Sequence, residues 1–123
     1  MNYMLMVYDP ADYVAQLTDE ELAALEGRYV ALYHELQKEG KLVGSMRLPE
    51  NRPPETLRLN GEGDVTITDG PYAETKEILG GFFIVDCATM DEALELAARI
   101  PSAETGCVEV REVVDLDAMF AAE

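Results

Sequence analysis

The stretch GFFIVDCATMDEALELAARIP, residues 81–101, passes from a strand into a helix and decides the fold. Gly81 to Cys87 is short, β-branched and aromatic, which predicts a strand whose alternation sends Phe82 and Phe83 to opposite faces. Thr89-Met90-Asp91-Glu92 then reads as a capping box, and Pro101 as the stop of the helix it opens. Ala93, Leu94, Leu96, Ala97 and Ile100 supply that helix's apolar side. The same succession opens the chain. Asn2 to Tyr8 reads as a central strand buried on both faces and closed by Asp9-Pro10. Thr18-Asp19-Glu20-Glu21 is a second capping box, and Leu22, Leu25, Tyr29, Leu32, Tyr33 and Leu36 recur at helical spacing until Gly40.

Lys41 to Met46 is the next candidate strand, followed by the Pro-rich surface connection RLPENRPPE. Thr56 to Asn60 and Asp64 to Thr68 flank Gly61-Glu62-Gly63 as a hairpin, and Cys107 to Val114 is the closing strand. The tail DLDAMFAAE has material for one loose helical turn. The order β, α, β, hairpin, β, α, β predicts one α+β domain over residues 1–123, ferredoxin-like (βαββαβ) with an inserted β-hairpin. Both helices then cover one sheet face. The simplest cover for the other is a second copy, so a homodimer is expected.

Composition limits the function classes. The 123 residues carry 25 acidic against 9 basic side chains, a formal charge of −16 that repels phosphate backbones and anionic lipid surfaces. Direct nucleic-acid binding and membrane association are not expected. With 48% apolar and 28% charged residues the chain has the composition of a globular domain with a real core. Cys87 and Cys107 lie in apolar stretches and do not make a disulfide framework, so both are expected reduced in a cytoplasmic protein. No apolar run approaches the roughly 20 residues of a membrane span.

The densest chemistry lies at Asp69-Gly70-Pro71-Tyr72-Ala73-Glu74-Thr75-Lys76-Glu77, just before Leu79-Gly80-Gly81-Phe82. Asp69 suits either a turn, accepting from nearby amides, or a general base beside a cleft. Lys76 suits either an ion pair with Asp69, Glu74 or Glu77, or, in a partly desolvated pocket, an anion clamp for a carboxylate or enolate or an acid with lowered pKa. Glu74 and Glu77 share a face on a helical turn and point apart in a strand, and the spacing leaves both open. Gly80-Gly81 predicts a bulge or a close backbone approach, with amides able to line a pocket. No His or Cys joins the carboxylates at metal-ligand spacing, so no metal site is expected.

This block, together with MNYMLMVY, LQKEGKLV and GCVEVREV, resembles the YCII-related family, specifically its DGPF-domain branch, with Tyr72 in place of the usual Phe. The resemblance implies a dimeric α+β barrel. Most members of that branch have no assigned activity; some occur beside extracytoplasmic-function sigma factors, and wider relatives include a ring dehydrochlorinase. In some of those relatives a His on the first helix joins an Asp in a proposed dyad. Here that helix position is Tyr29, and the dyad does not transfer. The single histidine, His34, lies off the apolar helix face and is expected to face solvent.

Two functions follow as expectations. One is a lyase or isomerase without an organic cofactor, with Asp69 and Lys76 catalytic and Tyr29, Tyr72, Glu74, Glu77, Gly80 and Gly81 binding a small molecule. The other is a non-catalytic ligand-sensing or protein-interaction module, acting with an extracytoplasmic-function sigma factor.

Overall fold

The computed structural model describes residues 1–49, 52–69 and 77–121. In chain order it has strand β1 (Asn2–Pro10), a 3-10 turn (Val14–Gln16), helix α1 (Asp19–Lys38) and strands β2 (Leu42–Arg47), β3 (Glu55–Leu59), β4 (Val65–Asp69) and β5 (Glu77–Asp86). Helices α2 (Met90–Ala97) and α3 (Ser102–Thr105), strand β6 (Cys107–Val113) and helix α4 (Leu116–Phe120) complete it. The four-stranded sheet has the order β2-β5-β1-β6, antiparallel throughout, while β3 and β4 pair only with each other. This α+β arrangement is compatible with a ferredoxin-like fold.

Both long helices start where their caps predict. Thr18 accepts from the Glu21 amide at 3.1 Å while Glu21 accepts from the Thr18 amide at 3.0 Å, so two orphan donors are satisfied reciprocally. At the far end of α1, Gly40 takes φ 72°, the Lys41 amide donates to the Leu36 carbonyl and the Gly40 amide to the Gln37 carbonyl. That closing pattern needs a left-handed residue, which glycine adopts at little cost. Thr89 caps α2 as expected, but Glu92 reaches back to the Ala88 amide rather than to the cap, and its other oxygen pairs with Lys41 at 2.8 Å. The helix stops at Ala97, short of Pro101, and Pro101 instead opens the single turn α3. Proline at a first-turn position loses no intrahelical hydrogen bond, so it starts a helix as readily as it ends one.

The core lies on one side of the sheet. Tyr3, Leu5 and Val7 of β1 and Phe83 and Val85 of β5 are buried against Leu32 and Leu36 of α1 and Ala93, Leu96, Ala97 and Ile100. Met4, Met6, Phe82 and Ile84 alternate with them on the opposite face and are only partly buried. The expectation of a first strand buried on both faces is thus corrected: its central position buries its hydrogen bonds, whereas the described helices cover one of its faces. Leu94 is also corrected, being 49% exposed on the outer side of α2. In the β3–β4 pair, Leu57, Leu59, Val65 and Ile67 share one face by register and are all exposed.

Candidate functional site

α1 does not fit the sheet equally along its length. Leu32 and Leu36 in its second half are buried, while Leu22, Leu25 and Tyr29 in its first half are only partly so. The gap beneath them is a cavity of about 560 Å³ bounded by β1, β2, β5 and the 3-10 turn. Its walls are largely apolar, with Asp9, Glu26, His34, Ser45 and Arg47 among the polar residues that line it. Few polar groups on apolar walls is the usual composition of a small-molecule site.

β5 opens the cavity by a local irregularity. Val7 pairs with Gly81 but Tyr8 pairs with Leu79, so Gly80 is the extra residue of a β-bulge. At Gly81 a Cβ would lie 2.6 Å from the Met46 carbonyl oxygen, so only glycine lets β2 approach there. Both readings of the glycine pair hold, and both residues line the cavity.

The polar end is built by three elements that meet at the end of β1. Ser102, the one buried polar side chain among the described residues, donates to Asp9 Oδ2 at 2.5 Å and lies 2.5 Å from the Tyr29 hydroxyl. Thr105 donates to Asp9 Oδ1, also at 2.5 Å. The α3 turn can sit this close because of Gly106: a Cβ there would collide with the Tyr8 carbonyl oxygen and come within 2.9 Å of the Asp9 Cα. Burial, foremost, pushes the Tyr29 hydroxyl above the ordinary tyrosine value, with the nearby Asp9 charge acting in the same direction. Tyr29 therefore stays protonated at neutral pH.

Of the residues proposed from sequence, the structure brings Tyr29, Gly80 and Gly81 to the cavity. Glu77 is extended in β5 opposite Pro10, on the other face of the sheet from the cavity, with Cys107 Sγ 3.8 Å from its Oε1. Asp69 ends β4 opposite Glu55, in the separate two-stranded sheet, and does not line the cavity. Tyr72, Glu74 and Lys76 lie outside the described residues. His34 is exposed as expected, in edge contact with Tyr33, yet it lines the cavity. Cys87 is buried and Cys107 exposed, both as free thiols. Desolvation, chiefly, pushes both thiols up, which lowers their reactivity.

Asp9, Ser102 and Thr105 carry no motif, and sequence reasoning passed over them. In the sequence Asp9 reads only as the close of a strand, and Ser102 follows a proline that reads as a terminator. The available signal was a carboxylate at the end of a central strand, since site residues collect where strands end beneath a helix.

The YCII-related domain matches residues 1–117. The chain belongs to the YCII-related family. A relative in Rhizobium meliloti (strain 1021), called uncharacterized protein R00369, is 36% identical over 120 residues and covered to 90%, as is this chain. Within this YCII-related chain, Tyr29 on α1 is joined to Asp9 on β1 through Ser102. Among the described residues, no helix is long and apolar enough to cross a membrane.

Proposed function

We propose that this YCII-related domain binds a small, largely apolar molecule in the cavity under the first half of α1, and that Asp9 supplies the charge for cofactor-independent lyase or isomerase chemistry there. The observation that carries the reading is the Asp9–Ser102–Tyr29 chain at the polar end of an otherwise mostly apolar cavity. A carboxylate held by two hydroxyl donors in such a place is positioned to act as a base. In this reading Gly80 and Gly81 shape the wall and Tyr29 orients the ligand. Asp69 and Lys76 belong to the proposal as further charged groups of the DGPYAETKE segment, tested through Lys76→Met.

A thermal-shift panel of small aromatic and keto-acid compounds tests this on wild type, Leu25→Trp and Lys76→Met. A ligand at 100 times its dissociation constant adds about 2.7 kcal/mol, or several degrees in a domain of this size. The expected result is a shift in wild type that vanishes in Leu25→Trp, where the indole fills the cavity. A shift unchanged by Leu25→Trp refutes the location, and one lost in Lys76→Met brings the DGPYAETKE segment into the site.

The half-open sheet face supports a second proposal, a homodimer packed through Met4, Met6, Phe82 and Ile84 as in a dimeric α+β barrel. Light scattering at micromolar concentration should give twice the chain mass, and Met6→Glu should return it to the monomer. A monomeric wild type refutes it.

A further inference from the structure

Resting on that reading of the cavity, the direction of its hydrogen bonds limits which ligand it takes. Ser102 donates its one proton to Asp9 Oδ2, and Thr105 donates to Asp9 Oδ1. A serine hydroxyl has a single proton, so the contact between Ser102 and Tyr29 must be made with the tyrosine proton. Tyr29 therefore keeps only lone pairs for the cavity. Asp9, which is hydrogen-bonded to the same serine and also lines the cavity, offers only acceptors as well. Tyr29 and Asp9 thus offer the cavity only acceptors, although Tyr29 carries a hydroxyl.

We infer that the ligand is an apolar ring or chain whose head group donates a hydrogen bond and carries no negative charge: a phenol or enol, or the ammonium of an amine, rather than a carboxylate or a phosphate. An anion placed there would face the Asp9 charge, and neither Asp9 nor Tyr29 would offer it a donor. An ether or ketone of the same shape would leave Tyr29 and the ligand oxygen lone pair to lone pair, and a buried acceptor without a donor is penalised. Specificity of this kind is strong because the site's own buried groups go unpaired with the wrong ligand.

Equilibrium dialysis in mildly acidic buffer, read by absorbance, compares para-nitrophenol, its methyl ether para-nitroanisole, para-nitrobenzoate and para-nitrobenzylamine on wild type, Tyr29→Phe, Asp9→Asn and Leu25→Trp. Para-nitrophenol, para-nitrobenzylamine or both should bind wild type about tenfold or more tightly than the ether and the benzoate. A preference for the phenol should fall in Tyr29→Phe, with ether binding unchanged or tighter, which a merely structural role for the hydroxyl would not give. A preference for the amine should survive Tyr29→Phe and fall in Asp9→Asn, which identifies a cationic head. Equal binding of phenol and ether, or tightest binding of the benzoate, overturns the inference while Leu25→Trp sensitivity leaves the cavity reading standing. Retention of no probe above the Leu25→Trp level overturns both.

Discussion

α2 and the first half of α1 lie against the same sheet with opposite results. α2 presents Ala93 and Ala97, whose small side chains let the helix settle until both, and Leu96 with them, are buried. The first half of α1 presents Leu22, Leu25 and Tyr29, all only partly buried, and a cavity opens where they stand away from β1 and β5. Two arrangements hold this half of α1 in place. The Leu32 and Leu36 anchor lies one to two turns on, and the α3 turn meets Tyr29 through Ser102 and Arg28 through a two-pronged pair with Glu104 at 3.0 and 3.4 Å. The lesson is that one helix can be packed at one end and propped at the other, and the propped end is where the cavity stands open.

Truncation should expose this contrast most strongly. Leu36→Ala removes a side chain that is 1% exposed and should cost about 2–5 kcal/mol, while Leu25→Ala, which only enlarges an existing space, should cost under about 1 kcal/mol. Urea unfolding of the two variants measures the gap, and equal losses would mean that the cavity closes in solution. Next in size is Gly106→Ala, which should cost about 1–3 kcal/mol because its Cβ meets backbone that cannot give way. It should also weaken ligand binding by moving Ser102 and Thr105 off Asp9, whereas Gly27→Ala, with open space around it on α1, should leave binding unchanged.

The smallest effect concerns the packed side. The Lys41 ammonium, foremost, and the Ala88 amide hold the Glu92 carboxyl below the usual glutamate value. A carboxyl lowered in the folded state contributes stability that is present above its unfolded value and lost as pH falls through its folded value. Acid titration of thermal stability should therefore be slightly flatter in Glu92→Gln than in wild type. An unchanged slope would show that the partly exposed pair contributes nothing, as many such pairs do.

Much of the fold was legible because its signals are local. Both threonine caps, the Gly40 stop and the strand alternation around Phe83 depend on residues within a turn of one another, and each stands where the pattern puts it. The bulge at Gly80 was legible for the same reason. The α3 turn was not, since proline is compatible with ending a helix and with starting one. Glu77 has the same strand parity as Phe83 and Val85, but the bulge at Gly80 shifts the register by one and sends its side chain to the other face, opposite Pro10.

Sequence by itself determined the element order, the helix ends, the one-sided supply of helices and the place of the family in which this chain belongs. Tertiary structure alone decided the polar end of the cavity, where Asp9 meets residues 93 and 96 positions further along the chain. Periodicity and capping act over a few residues, so they report on elements one at a time. A hydrogen-bonded chain built from β1, α1 and α3 exists only once the sheet has placed the end of its central strand beneath both helical segments.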